Sequence, residues 1–235
     1  MKKIVNADDF GASLSVNEAI DYCFNHDLIN RTTIMVNMPG FQDAIEKSKR
    51  GNYFQHIGLH LNLDAGVPLT DGIKKFDLFG DKTFWKKRHN RYFIFNRKAR
   101  IAIRAEISAQ MDKYVGTGFP LMHIDSHHHI HTMPSILPIV ISEAKRHGFT
   151  SMRISRNMGA ARGGVKQIIK QVINYLIRCN FSTTRYFGGY NDFQQSKFSL
   201  HATTEIMVHP KIIDGNVVNI ITNRKGPLYI KMHHI

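Results

Sequence analysis

Four polar segments of the chain carry residue types that bind cations and move protons. Asp8 and Asp9 follow an apolar run near the N-terminus, His60 lies near the end of a second run, and His209 ends a later one. The remaining segment, residues 123–131, contains five histidines and an aspartate. Carboxylates and neutral imidazoles are the ligands of zinc and similar divalent ions, so the four segments together indicate a metal site.

The adjacent pair Asp8 and Asp9 allows a division of labour. Neighbouring residues of a regular strand point to opposite faces, so both carboxylates can reach one site only if the strand ends there. Gly11 would permit such a turn. One carboxylate could then bind a cation while the other handles protons, because two like charges so close raise the proton affinity of one of them. A turn-forming pair that caps the next helix is the alternative.

The histidine segment begins on a predicted strand. If that strand continues, alternate residues lie on one face, namely His123, Asp125, His127, His129 and His131. An aspartate and a histidine two residues apart would supply one ligand and one neighbour that orients it. Isolated histidines elsewhere in the chain are interpreted as ordinary surface or core residues.

One combination of these residues suits a catalytic metal centre. Asp9, His60 and His127 would supply three protein ligands and leave coordination positions for water and substrate. His209 is then a candidate proton donor. Arg153, on a predicted strand, could pair with a carboxylate at the same rim and hold it ionised.

The elements that position these residues alternate between strand and helix. Apolar runs of strand length occur at residues 3–7, 33–37, 56–63, 122–126, 151–155 and 205–208. Helical patterns occur at residues 13–25, 42–49, 100–115, 135–147 and 165–178. This alternation predicts an α/β fold with mostly parallel strands, closed or nearly closed into a (β/α) barrel, with a doubly wound open sheet as the alternative. The polar strand ends would meet at one rim.

The pattern in the last predicted helix is the clearest. Apolar residues recur at the helical period, and Lys166, Lys170 and Arg178 lie on the opposite side, which predicts an amphipathic helix.

Composition limits the class of protein. Of the 235 residues, 43% are hydrophobic and 21% are charged, which is ordinary globular usage. We expect one domain over residues 1–235, with an insertion at about residues 68–97 that could form a homodimer contact. No apolar run approaches the roughly 18 residues that span a membrane, and the N-terminus does not resemble a secretory signal. Two cysteines cannot form a disulfide framework, so we expect a cytoplasmic protein.

The charge is unusually positive. Lys and Arg number 32 against 18 Asp and Glu, a formal net charge of +14. Eight of the cations and no acid lie between Lys86 and Arg104. A solvated or oligomer-facing surface is one interpretation of this segment, and an anionic partner is the other.

Four stretches of the sequence resemble the YdjC-like carbohydrate deacetylases, whose best-known members act on chitooligosaccharides. The matching stretches are residues 5–11, 57–61, 123–131 and 205–210, which occur in the family's order and at about its spacing. The resemblance implies a distorted (β/α) barrel, similar to that of the polysaccharide deacetylases, with an Asp-His-His site for a divalent metal. Two parts of the chain depart from the family's pattern: Lys211, where a small residue is common, and residues 219–235, where a C-terminal strand and helix are usual. These departures bear on barrel closure and the substrate pocket.

The resemblance also implies roles for individual residues. Asp9, His60 and His127 correspond to the metal ligands, Asp8 to the catalytic base and His209 to the acid. The stretch around Arg153, which would act beside them, matches more loosely.

The expected function is therefore metal-dependent removal of N-acetyl groups from small amino-sugar oligosaccharides, with one divalent ion, zinc or magnesium, as cofactor. We expect neither a membrane nor nucleic acid as partner. A metal-dependent phosphoesterase acting on a nucleotide or nucleic acid is the alternative, because the same ligands would serve and the positive charge would attract phosphate. A barrel that binds sugar or nucleic acid without catalysis is a third interpretation. Neither a glycine-rich phosphate loop nor a Gly-x-Ser-x-Gly elbow is present in the sequence.

Overall fold

The computed structural model describes residues 3–76, 94–159, 164–195, 202–223 and 226–232. Seven strands form the main sheet: β1 Lys3–Phe10, β2 Arg31–Ile34, β3 Ile57–Leu61, β4 His123–Ser126, β5 Ser151–Met152, β6 Tyr186–Gly189 and β7 Thr204–Val208. All neighbours in this sheet are parallel, in the order β5-β4-β3-β2-β1-β7-β6. Strands such as β3, buried along its whole length, are typical of a parallel sheet covered on both faces.

The sheet curls so that its two edges approach each other. The backbone N–H of Met152 donates to the carbonyl of Ser182 at 3.1 Å, and Ser182 donates in turn to Thr150 at 3.0 Å. Further along, the N–H of Asn157 donates to the carbonyl of Phe187 in β6 at 3.0 Å. These bonds link the edges of β5 and β6 without a regular ladder, which confirms the predicted distorted (β/α) barrel rather than an open sheet.

The helices lie outside the sheet at the predicted places. Their bounds are α1 Leu14–Asn25, α2 Phe41–Arg50, α3 Asp71–Lys74, α4 Arg97–Val115, α5 Leu137–Arg146, α6 Val165–Arg178 and α7 Tyr190–Gln195. The short α3 and α7 were not predicted, and 3₁₀ turns occupy Phe54–His56 and His127–Thr132. Ser13 caps α1, because its Oγ accepts a hydrogen bond from the N–H of Val16 at 3.3 Å.

The main core lies between the sheet and the helices. Helix α6 contributes to this core only a narrow stripe of apolar side chains. Ile173 and Ile177 of α6 are buried. Five other apolar side chains of this helix are between 42% and 71% exposed, namely Val165, Ile168, Val172, Tyr175 and Leu176. The predicted helix is confirmed at Val165–Arg178, but its apolar face is wider than the strip that touches the barrel, and the remainder faces outwards.

A second, smaller sheet follows the barrel. It consists of β8 Pro210–Ile213, β9 Asn216–Asn223 and β10 Gly226–Lys231, antiparallel in the order β10-β9-β8. Strand β8 packs beside α1. Strands therefore occupy the described part of residues 219–235, where the sequence departs from the family's pattern.

Part of the predicted insertion at residues 68–97 cannot be compared with the structure, because residues 77–93 lie outside the described residues. The same holds for Lys86, Lys87, Arg88 and Arg91 of the basic segment, whereas its other four cations lie on α4. Among the residues that the structure describes, no helix is long and apolar enough to cross a bilayer.

Candidate metal centre

The C-terminal end of β1 departs from regular strand geometry at the aspartate pair. The pairing of β1 with β2 shifts register between Ala7 and Phe10. Asp9 has a φ of 70°, in the left-handed region that residues other than glycine adopt rarely. This irregularity breaks the alternation of side chains. Asp8 consequently faces the barrel interior, where it contacts Arg153, while Asp9 faces two histidines.

The carboxylate of Asp9 lies between the imidazoles of His60 and His127. Its Oδ1 is 3.1 Å from His60 Nε2 and 2.8 Å from His127 Nδ1. The potential ligand atoms of the three residues lie within 4.8 Å of one another. His60 is the penultimate residue of β3 and His127 directly follows β4, so three strand ends meet at one rim as parallel topology requires.

His60 is oriented by a second carboxylate. Its Nδ1 lies 2.6 Å from Asp125 Oδ1, and the other oxygen of Asp125 accepts a hydrogen bond from Thr33 Oγ1 at 3.0 Å. The expectation that Asp125 orients the histidine two residues later is wrong. Strands β3 and β4 pair His60 with Asp125 in register, so the nearest imidazole is the one across the ladder.

The rest of the histidine segment does not continue the strand. Strand β4 ends at Ser126, and His128 and His129 have φ values of 49° and 55°. The predicted common face therefore ends at this point. His131 is buried, with Nδ1 at 2.5 Å from Ser126 Oγ and Nε2 at 3.0 Å from the carbonyl of Arg153. Burial lowers the pKa of His131 to about 3, so it is neutral and structural.

The electrostatics of the three candidate ligands are coupled. Burial raises the pKa of Asp9, but His127 and His60 outweigh it and hold that pKa well below its usual range. Burial lowers the pKa of His60, yet Asp125 and Asp9 raise it to about 10. The pKa of His127 is also raised, because Asp9 overcomes the effect of burial. A cation bound between these groups would compete with protons for the imidazole nitrogens.

Asp8 is held by three donors. Arg153 Nη1 donates to Asp8 Oδ2 and Arg153 Nη2 to Asp8 Oδ1, each at 2.8 Å, and Asn6 Nδ2 donates to Oδ1 at 2.8 Å. Burial raises the pKa of Asp8, but the Arg153 guanidinium more than compensates and holds it far below the usual range. A carboxylate has about four acceptor positions, so one remains for a further donor such as water.

His209 lies between β7 and β8, at the same rim. Its backbone N–H donates to Asn219 Oδ1 at 2.7 Å, and its carbonyl accepts from the N–H of Ile220 at 3.0 Å. The small C-terminal sheet therefore fixes the backbone of this residue. His209 lies near enough to Asp8 for its charge to lower the pKa of that carboxyl.

The donors around Asp9 have the chemistry of an open metal site. One carboxylate and two imidazoles face each other, and an outer carboxylate orients one imidazole, as in many zinc centres. The side chains of Asp9 and His127 are 22% and 20% exposed, whereas that of His60 is 1% exposed. The site is thus closed on the barrel side and accessible from the rim.

Other groups of potential ligands in the described part of the chain are less suited to a cation. Two of these groups lie around Arg153. One consists of Asp8, His60 and Asp125, and the other of His123, Asp125 and Glu205. The guanidinium contacts Asp8, Asp125 and Glu205 directly and already supplies a positive charge there. A further group, Asp64 with His127 and His128, shares His127 with the candidate centre, and Asp64 is bonded to His128.

Sequence reasoning overlooked several of the interior partners. Asn6, Arg31, Glu205 and Asp64 were assigned no role, although each is buried. A signal was present for Glu205 and Arg31, because charged residues are almost never fully buried unless paired, and both lie within or beside apolar strand runs. Their individual partners could not be read from that signal.

Comparison with known proteins identifies the family of the chain. Residues 2–228 match the family model described as YdjC-like protein. A carbohydrate deacetylase from Vibrio vulnificus is 32% identical over 225 residues, which cover 91% of this chain and 80% of the relative. Another from Vibrio parahaemolyticus is 40% identical over 147 residues, or 63% of this chain and 57% of that relative's length.

A solved structure shares the fold. It is that of a proposed cellobiose-phosphate cleavage protein from Enterococcus faecalis, with a TM-score of 0.67 and 21% sequence identity, covering 91% of this chain and 82% of the other. At that identity, the likeness describes the architecture alone.

Proposed function

The chain belongs to the YdjC-like protein family, and on that premise we propose that it is a metal-dependent carbohydrate deacetylase. Its proposed substrates are small amino-sugar oligosaccharides of the chitooligosaccharide type, from which it removes N-acetyl groups. The observation that carries the proposal is the carboxylate of Asp9 between His60 and His127 at a partly exposed rim. The names of the curated relatives support the reaction class.

In this proposal, Asp9, His60 and His127 hold one divalent ion, with zinc or magnesium as the candidates. A bound divalent ion supplies Lewis-acid chemistry, because it polarises a carbonyl and makes water more acidic. Asp125 keeps the His60 ring in place through Nδ1, so that Nε2 faces the site. The exposed parts of Asp9 and His127 define the side from which substrate enters.

Asp8 is the proposed general base. Its open acceptor position can receive the proton of the water that attacks the acetyl carbonyl carbon, while Arg153 and Asn6 occupy the other positions and fix the carboxylate. Arg153 also keeps Asp8 ionised at neutral pH, and an ionised carboxylate is the form that accepts a proton.

His209 is the proposed general acid. The new carbon–oxygen bond forms from the water, the carbon–nitrogen bond of the amide breaks, and the departing amine takes a proton from His209. Its backbone, anchored by Asn219, places it at the rim on the side of Asp8. The products are acetate and a free amino sugar.

Acetate release tests the proposal. The purified protein, loaded in turn with zinc and with magnesium, is incubated with N,N′-diacetylchitobiose, and acetate and free amine are measured. We expect acetate release with a metal-loaded wild type and none with an Asp9→Ala variant. A parallel incubation with bis(p-nitrophenyl) phosphate tests the phosphoesterase alternative. Phosphate-ester cleavage without acetate release would overturn the proposal.

A further inference from the structure

Five side chains form a closed ring inside the barrel, beneath the candidate metal centre. Starting at Asp8, each side chain contacts the next one and the last returns to Asp8. The members in order are Asp8, Arg153, Glu205, Arg31 and Asn6. They come from β1, β2 and β7 and from the residue that follows β5.

The contacts of the ring are short on both sides of Glu205. Its Oε1 accepts from Arg153 Nε at 2.7 Å and lies 2.7 Å from Arg31 Nη2. Arg31 Nε donates to Asn6 Oδ1 at 2.8 Å, and Asn6 Nδ2 donates to Asp8 Oδ1 at 2.8 Å. Two chains of contacts therefore link Glu205 to Asp8, one through Arg153 and the other through Arg31 and Asn6.

Arg153 joins this ring to the candidate metal ligands. Besides Asp8, its Nη2 lies 2.7 Å from Asp125 Oδ2, and Asp125 orients His60. Its guanidinium also lies over the ring of Phe187, 4.7 Å from the centroid. The orientation of the Arg153 guanidinium therefore sets the positions of two carboxylates, Asp8 and Asp125, of which Asp125 orients a candidate metal ligand.

We propose that Glu205, together with Arg31, is a positioning residue for Asp8. Glu205 holds the Nε–H group of Arg153. Because the guanidinium is planar, this contact directs Nη1 towards Asp8 and Nη2 towards both Asp8 and Asp125. Glu205 does not touch the rim itself. The inference rests on the proposed function, because it assigns Asp8 the role of base.

The charge content of the ring and of the adjoining Asp125 argues that they serve more than the fold. Asp8, Asp125 and Glu205 face Arg31 and Arg153, so three carboxylates and two guanidinium groups are buried together. Burying such groups is expensive, and well-packed apolar side chains commonly support a fold as well or better. A closed set of charged partners instead fixes geometry, which is what a base at a reaction centre needs.

The chain offers a matched control. Glu143 on α5 is also buried and also contacts two arginines, accepting from Arg104 Nη1 and from Arg146 Nη2, the latter at 2.7 Å. It lies outside the barrel interior, between α4 and α5. Glu143→Gln therefore removes the same charge from a buried glutamate without touching the ring, although the arginines around Glu143 are partly exposed.

The experiment compares Glu205→Gln with Glu143→Gln in the metal-loaded protein. For Glu205→Gln we expect kcat on N,N′-diacetylchitobiose to fall by about 10- to 100-fold, with KM within about twofold and unchanged metal stoichiometry. For Glu143→Gln we expect unchanged kcat and KM. The second measurement is the NMR signal of the Arg153 Nε–H group, which should exchange faster with water in Glu205→Gln and not in Glu143→Gln.

A second variant covers the case in which Glu205→Gln does not fold. Arg31→Lys keeps a cation but loses the planar fork that places Nε on Asn6 and Nη2 beside Glu205, so it should lower kcat less, again at constant KM. Unchanged kcat in folded Glu205→Gln or Arg31→Lys would overturn the inference, as would an unchanged Arg153 signal. A wild type that releases no acetate would instead overturn the proposed function, and the Arg153 signal would still test the ring.

Discussion

The barrel interior and the outer face of α6 reverse the usual distribution of polarity. The interior buries Arg153, Glu205, Asp8 and Asp125, whereas the outer face of α6 exposes apolar side chains such as Ile168. Globular proteins seldom bury charges unless they are paired, and they commonly expose some apolar surface. Each of the four charged groups named in the interior has an oppositely charged partner within hydrogen-bond distance.

The comparison shows why each region tolerates its unusual polarity. In the interior, charge is tolerated because strand register brings complementary groups together, and the result is a fixed arrangement beneath a reaction centre. On α6, exposure is tolerated because Ile173 and Ile177 already anchor the helix to the barrel. Substitutions in the interior should consequently affect chemistry, and those on the outer face of α6 should affect neither activity nor stability.

The largest effect is expected at the rim of the interior. His127→Ala removes one of three candidate ligands, so metal binding and acetate release should both fall to background. Elemental analysis after dialysis and the acetate assay measure the two quantities. His26→Ala, at an exposed histidine after α1, is the control and should behave as wild type. A fully active His127→Ala enzyme would refute the ligand assignment.

A smaller loss is expected at Asp8. Asp8→Asn keeps the shape of the side chain but cannot accept a proton, so kcat should fall by about 10²–10⁴-fold while the metal stays bound. Steady-state kinetics and metal analysis on the same preparation check both halves of this prediction. Loss of the metal together with activity would instead place Asp8 among the ligands.

The free energy of unfolding should also depend on pH, because the interior buries a titratable histidine, His131. The pKa of His131 falls from 6.5 to about 3 on folding, so the unfolded state binds more protons at intermediate pH. The contribution of His131 to stability is complete above about pH 6.5 and should decline as the pH falls towards 3. Between pH 6.5 and pH 4.5 the decline from this residue should reach about 2–3 kcal/mol.

Urea unfolding at several pH values measures that decline. His131→Gln preserves hydrogen-bonding capacity without a titrating ring, so its free energy of unfolding should vary less over the same range. Equal pH dependence in wild type and variant would show that His131 is not the group responsible.

On α6, where two substitutions of the same type can be compared, we expect effects on stability alone, and the smallest effect of all at its outer face. Ile177→Ala creates a cavity beneath the helix and should cost about 2–5 kcal/mol of unfolding free energy. Ile168→Ala, on the exposed face, should change it by less than about 0.5 kcal/mol. Thermal and urea unfolding measure both. A large cost at Ile168 would show that the outer face of α6 is covered in solution.

Much of the fold was predictable from local patterns. Six of the seven barrel strands and the five longer helices were expected at nearly their observed positions, because buried strands and amphipathic helices have distinct periods. The strand that was missed, β6 Tyr186–Gly189, ends in two glycines, which have low strand propensity. Its position at the sheet edge became evident only from its pairing with β7.

The sequence by itself determined which residues reach the rim. Asp9 and His60 are the penultimate residues of parallel strands and His127 follows another, and parallel strands place their carboxyl ends together, so their meeting at one rim was predictable. The tertiary structure alone decided which partner each side chain contacts. Asp125 orients His60 because β3 and β4 pair in that register, and Glu205 reaches two arginines because the sheet curls around it. Periodicity sets the face of an element on which a residue lies, whereas a hydrogen bond requires atoms from separate strands to meet within a few tenths of an ångström.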